Sequence, residues 1–141
     1  RSQELAMYVV FDDYFAMLCD SPDEYRKDST ILGFLREVPT VWNRTLPLDA
    51  KVGEKAVVAK QTGERWYVGG MCGWCGAETQ VDLSFLNPGV SYEMELYADA
   101  EECKEDASRY TYTRSIVNSE MTTDIRMASG GGFVMVLKPV K

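Results

Sequence analysis

A chain of 141 residues with 45% hydrophobic and 26% charged positions has the composition of one ordinary globular domain with room for an appendage. Its 22 acidic against 15 basic residues leave a formal charge of −7, the wrong sign for gripping phosphate backbones or an anionic bilayer, so neither nucleic acid nor a membrane surface is an expected partner. The absence of histidine removes Ser-His-Asp and Cys-His machinery, imidazole acid–base chemistry and histidine metal ligation.

The chain opens at Arg1 with neither an initiator Met nor a signal-like stretch, and its natural N-terminus is expected upstream. Residues 2–11 (SQELAMYVVF) carry helix formers behind Ser2 as a cap and stop at Asp12 and Asp13. Residues 5–11 are the longest apolar run, far short of the roughly 18 of a membrane span. Residues 14–19 (YFAMLC) are six consecutive apolar positions without alternation, the pattern of a strand buried on both faces of a parallel sheet. A turn-rich loop, Asp20-Ser21-Pro22-Asp23-Glu24, follows. Asp28 or Ser29 can then cap a helix with Ile31, Leu32, Phe34, Leu35 and Val38 on its apolar side, ended by Pro39. One such strand between two helices cannot bury itself and needs further parallel strands as partners.

Residues 39–52, punctuated by Pro39 and Pro47, read as a connector, and beyond them the period changes to two. Val81, Leu83 and Phe85 alternate with polar residues, as do Tyr92, Met94 and Leu96, and Ile125 and Met127. Further strands are expected at 56–61, 65–71, 109–117 and 133–137, separated by turn signals at Thr62-Gly63, Asn87-Pro88-Gly89, Asn118-Ser119 and Ser129-Gly130-Gly131-Gly132. The expected fold is mainly β: an antiparallel Greek-key β-sandwich of about seven or eight strands over residues 53–141, with one wet and one dry face, preceded by the helix-strand-helix unit of residues 1–38.

Several motifs invite chemistry. Cys72-Gly73-Trp74-Cys75 has the spacing of a redox dithiol or half a zinc site, but it falls between antiparallel strands. The plainer expectation is a glycine turn on Gly73 and Gly76, with thiols acting as small hydrophobes and a packed Trp74. Residues 99–106 (DAEECKED) hold five carboxylates, yet the sixth and twelfth positions counted from Asp99 are Lys104 and Tyr110, where a calcium loop needs Gly and Glu. Trp66, Tyr67, Trp74, Tyr92, Tyr97, Tyr110 and Tyr112 could line a sugar-binding face or fill cores. Trp66 and Tyr67 are adjacent on one strand and must point to opposite faces. Gly130-Gly131-Gly132 lacks a following helix and the Lys-Ser or Lys-Thr of a phosphate loop and reads as a hairpin turn. Asn43-Arg44-Thr45 fits an N-glycosylation sequon.

These elements, in this order, resemble the tail of glycoside hydrolase family 97. The matching stretches are QELAMYVVF (3–11), MLCDSPDEY (17–25), VPTVWNRT (38–45), LDAKVGEKAVVAK (48–60), WYVGGMCGW (66–74), VDLSFL (81–86) and MASGGGFVMVLKP (127–139). The resemblance implies that residues 1–38 close a (β/α)8 catalytic barrel, with 14–19 as its eighth strand, and that the sandwich is the family's noncatalytic C-terminal domain. It also implies a parent that hydrolyses α-glucosides or α-galactosides with carboxylates and a calcium ion, all held upstream, and that is exported to a bacterial periplasm. No catalytic residue, metal ligand or cofactor is then expected in this chain. The partners implied are the rest of the barrel and, through an exposed apolar tail, a second copy, with α-linked oligosaccharide only in the parent. Active sites of such barrels lie at the carboxyl ends of the strands. The loop carrying Asp20, Ser21, Pro22, Asp23 and Tyr25 is therefore a candidate substrate rim in the parent, or else its Asp20 and Ser21 simply satisfy loop backbone groups. At Cys72 and Cys75 the family usually has other residues, and at 101–104 an Asn-containing sequence. The function expected first is a noncatalytic C-terminal region that supports the barrel or makes subunit contacts; the alternatives are a carbohydrate-binding module and, last, a redox or metal enzyme built on Cys72 and Cys75.

Overall fold

The structure, a computed structural model, describes residues 1–13, 17–18 and 21–140. Three short helices come first: α1 (Ser2–Val10), α2 (Pro22–Arg26) and α3 (Ser29–Glu37). Eight strands follow: β1 (Arg44–Lys51), β2 (Lys55–Thr62), β3 (Arg65–Cys72), β4 (Ala77–Asp82), β5 (Tyr92–Asp99), β6 (Tyr110–Val117), β7 (Thr122–Met127) and β8 (Gly132–Pro139). A 3-10 turn at Glu101–Lys104 lies between β5 and β6.

The strands form a six-stranded antiparallel sheet in the order β1-β2-β3-β8-β5-β6 and a two-stranded sheet of β4 and β7. The last strand returns to lie between β3 and β5, the long-range closure that a Greek-key arrangement requires. Between the sheets, Phe133, Met135 and Leu137 of β8 pack with Trp66 and Val68 of β3, and with Val81 and Ile125 of the small sheet. The intervening residues Val134 and Val136 point to the other side, where Tyr67 and Tyr97 join them against Leu5, Ala6 and Val9 of α1 and Ile31 and Phe34 of α3. The expectation of one wet face therefore fails at β3 and β8, which are buried almost throughout. The helices are a third layer of the sandwich, covering the outer face of its large sheet.

Glycines set how closely α1 approaches. A Cβ on Gly69 would stand 2.8 Å from Val9 Cβ, and one on Gly132 would stand 3.0 Å from Gln3 Cα, so both strands are bare where the helix crosses. On the opposite face, Gly70 leaves room for the Phe133 ring. Lys60 of β2, only 1% exposed, reaches the end of α1. Its ammonium donates to the Phe11 carbonyl and to Asp12, and it lies 5.6 Å from the centre of the Trp42 ring. A cation is favourable at the negative end of a helix.

Several expectations are corrected. Ser2 does not cap α1: it lies inside the helix, buried, with its hydroxyl unpaired among the described residues, and Arg1 holds the cap position without a side-chain bond. Most of the expected strand 14–19 lies outside the described residues. Met17 and Leu18, which are described, are exposed and not in a strand. The turn-rich loop is cut short by α2, because Pro22 has the backbone angle of a first helical residue and Ser21 caps it. Most of the connector is strand β1. Its Pro47 is tolerated because β1 is an edge strand, and the register shifts between Pro47 and Asp49. The alternation at 81–85 does not make one strand: β4 ends at Asp82, whose carboxylate accepts from the Ser84 N–H at 2.8 Å and turns the chain. Leu83 and Leu86 are nevertheless buried, and Phe85 meets Trp66 at 4.9 Å. The triglycine is an arch between sheets rather than a hairpin, since β7 pairs with β4 whereas β8 pairs with β3 and β5.

Gly69→Ala should cost about 1–3 kcal/mol by forcing α1 off the sheet, read as a lower denaturant midpoint. Gly33→Ala, on a part of α3 with nothing within 4 Å of the added Cβ, should stabilise by about 0.4–1 kcal/mol. Equal midpoints for the two variants would mean that α1 does not rest on β3.

Candidate functional site

Of the expected rim residues, Asp20 lies outside the described residues. The others form the start of α2. Ser21 Oγ accepts from the Glu24 N–H at 3.4 Å, Pro22 occupies the first helical position, and Asp23 pairs with Arg26 at 2.9 Å. Ser21 thus caps α2. Tyr25 stands beside α1 at a groove of about 360 Å³ that Met7, Tyr8, Phe11, Met17 and Leu35 also line. Tyr8 OH donates to the Met17 carbonyl across it. The inner side of α1, with Leu5, Ala6 and Val9, is sealed against the sheet. Its outer side presents Met7 and Phe11, the latter 50% exposed, beside Met17 at 71%.

A polar groove on the same layer, about 320 Å³, runs between α3 and β5, β6 and β8. Glu37 at the end of α3 lies 3.1 Å from both Arg65 and Lys138, and Tyr67 OH donates to its carbonyl. Lys138 also approaches Glu95, which Arg114 meets at 3.1 Å. Hydrogen bonding from Lys138, aided by its charge and that of Arg65, holds the Glu37 carboxyl below the ordinary carboxylate range. Tyr110 OH donates to Asp28 at 2.8 Å, and burial together with that bond pushes the phenol up to about 12. These charges pair with one another and tie α3 to the sheet, leaving little in the groove to grip a ligand.

At one end of the sandwich three loops are bolted together. The Gly73 N–H donates to the Glu54 carbonyl at 2.7 Å, the Gly130 N–H donates to the Gly73 carbonyl at 2.9 Å, and Ser129 Oγ donates to the Trp74 carbonyl. Asp99 Oδ2 accepts from the N–H groups of Ala128 and Gly132, at 2.9 and 3.0 Å, and occupies the space a Cβ on Gly131 would need. The first carboxylate of the acidic run is therefore a structural anchor, and Asp106 accepts from Ser108. No group of three metal-binding side chains converges among the described residues, and these carboxylates do not fit a calcium ion. Cys72 is buried and Cys75 exposed, with no disulfide between them. Burial pushes the Cys72 thiol up, the reverse of an activated dithiol. Trp74 does not pack: it is 90% exposed. Asn43 of the sequon accepts from the Gly63 N–H at 2.8 Å. The other rings are spent in the two cores, with Trp66 and Tyr67 on opposite faces as their adjacency demands.

The sheet has two edges of different character. β1 is broken by Pro47 and its register shift, whereas β6 pairs with β5 without interruption from Tyr110 to Val117. Among the described residues no strand pairs with the outer edge of β6. Sequence reasoning placed this strand but could not identify it as an edge, because edge position follows from topology.

Residues 41–138 match the profile of a family described as "Glycosyl-hydrolase 97 C-terminal, oligomerisation". A retaining alpha-galactosidase of Bacteroides thetaiotaomicron is 36% identical over 138 residues, 98% of this chain. A probable retaining alpha-galactosidase of Streptomyces bingchenggensis is 32% identical over 80 residues, 57% of this chain. The structure of a glycoside hydrolase family 97 enzyme in complex with acarbose, from Pseudoalteromonas sp. strain K8, superposes on 99% of the chain with a TM-score of 0.94 at 26% identity. The chain spans 21%, 13% and 22% of these three proteins respectively.

The half-exposed Glu37 latch should contribute about 1 kcal/mol or less. Its folded carboxyl titrates below the ordinary value of 4.5. The contribution is therefore complete above that value and disappears as pH falls through the depressed one. The stability gap between the chain and Glu37→Gln should be constant from about pH 5 to 8 and close in acid; a gap that widens in acid contradicts the assignment. With a thiol reagent, Cys75→Ser should remove one thiol from the fast-reacting set and Cys72→Ser none, and metal analysis should find no stoichiometric zinc.

Proposed function

The chain belongs to glycoside hydrolase family 97 as its C-terminal region, and on that premise we propose that it is the noncatalytic closing part of an exported α-galactoside- or α-glucoside-hydrolysing enzyme. In this reading the helical layer joins the sandwich to the rest of a catalytic barrel, and the sandwich makes subunit contacts. The observation that carries it is α1, sealed on one side against Gly69 and Gly132 and apolar on the other at Met7 and Phe11. A helix apolar on both sides belongs between two layers. The missing layer is the remainder of the barrel, and the segment carrying Asp20, Ser21, Pro22, Asp23 and Tyr25 is then a rim of the parent's active site. Hydrolysis needs an acid and a nucleophile or base held across the sugar, and both belong to the upstream part. Calcium belongs there too, since the acidic run here spends Asp99 on the N–H groups of Ala128 and Gly132 and Asp106 on Ser108.

A carbohydrate-binding module finds less support. Trp74 is one exposed ring, and Trp66, Tyr67, Tyr92 and Tyr97, which could extend a platform, are buried. Titration with α-linked oligosaccharides should give no saturable heat.

The chain alone should not turn over aryl α-galactosides or α-glucosides, and turnover that survives purification would overturn the assignment. Met7→Glu with Phe11→Glu should leave the melting of the 141-residue chain unchanged, because both side chains are exposed. The same pair in the parent enzyme should lower its melting temperature, and an unchanged parent would show that no layer covers α1.

A further inference from the structure

We infer that the outer edge of β6 pairs antiparallel with the same edge of a second copy of this chain, about a two-fold axis at Thr113, and that this continuous sheet is the subunit contact. The inference rests on the reading that the sandwich makes subunit contacts, and it names where.

An edge strand is a row of unpaired N–H and C=O groups, and proteins that must stay apart blunt it with proline, bulges, charge or brevity. On β1 the chain uses two of these devices, Pro47 and the register shift beside it. The small sheet's strands are brief, six residues each. On β6 the sequence Tyr-Thr-Tyr-Thr-Arg-Ser-Ile-Val runs eight residues without proline, glycine or register shift, rich in the β-branched and aromatic types that favour strands. Residues 113–116 are exposed, and Ile116 is among the exposed large hydrophobic residues. Arg114, the single charge in the strand, is not a guard: it is folded back over its own sheet, 3.1 Å from Glu95, with its Nε donating to Tyr112 OH at 2.6 Å.

The strand is also self-complementary. Residues directly opposite in an antiparallel pair lie on the same face. Pairing about Thr113 sets Ser115 opposite Thr111, Arg114 opposite Tyr112 and Ile116 opposite Tyr110, each from the other copy. Hydroxyls then meet hydroxyls, the guanidinium meets a ring, and no like charges oppose. Moving the axis to Arg114 would set two guanidinium groups face to face. A two-fold contact of this kind is closed, producing a dimer rather than a fibre.

The helical face is a second route to association, so the test starts from the 141-residue chain carrying Met7→Glu and Phe11→Glu. In that background, sedimentation should give twice the 15.9 kDa of one chain. Adding Thr113→Lys and Ser115→Lys should return the mass to one chain with circular dichroism unchanged. In a Cys75→Ser version, Thr113→Cys should form an interchain disulfide on mild oxidation, because Thr113 faces itself across the axis. A monomer before the lysines are added, a dimer that survives them, or no cross-link at Thr113→Cys would each overturn the inference. The barrel-joining reading is judged separately, by the melting of the parent with the Met7 and Phe11 changes.

Discussion

A β-sheet whose central strands are apolar on both sides has no stable two-layer solution. In β8, Phe133, Met135 and Leu137 go one way and Val134 and Val136 the other, so water must be kept from both faces of the same strand. The small sheet of β4 and β7 covers one face. Helices α1 and α3 cover the other, and they can do so only because Gly69 and Gly132 let the α1 backbone come down onto the strands. The helical segment is therefore bound into the sandwich by the sheet's own composition.

Polar groups fix the position of what the apolar cores hold together. Around the helical layer, Lys60 takes the end of α1, Tyr67 and Lys138 take the end of α3, and Tyr97 OH donates to the Thr30 carbonyl. Lys60 and Tyr67 meet carbonyls at helix C-termini, which would otherwise lack partners, whereas Lys138 pairs with the Glu37 carboxylate and Tyr97 reaches the first turn of α3. Beside the start of α1, Asp99 plays the corresponding part for the triglycine arch. Charge at Lys60, Lys138, Glu37 and Asp99 is thus architectural.

Among the described residues, the outer side of α1 and the edge of β6 are surfaces that differ in kind. The outer side of α1 is a patch of Met and Phe next to a groove, suited to burial under another layer of the same polypeptide. The edge of β6 offers backbone hydrogen bonds in register, suited to an identical strand from another molecule. They lie at different places on the large sheet, one above its face and one along its rim, so use of one does not block the other.

Local pattern determined a good deal. Apolar spacing located α3 and β5, whose spacing reflects burial in the cores; helix formers located α1, and turn signals bounded β2, β3, β6 and β8. Adjacency alone required Trp66 and Tyr67 to part. The long matching blocks identified the family, which no single motif could do. Other features depended on distant partners. Pro47 argued against a strand until β1 proved to be an edge, and the triglycine looked like a hairpin until β7 and β8 proved to lie in different sheets. Asp99 was one of five carboxylates in an acidic run until the arch folded over it, and Trp74 looked packed until its loop was bolted outward. Sequence by itself determined which residues avoid water and with what period, because that preference is local to each side chain. Which face each stripe meets, which strand becomes an edge and which carboxylate becomes an anchor were decided only by tertiary structure, because each depends on groups brought together from far along the chain.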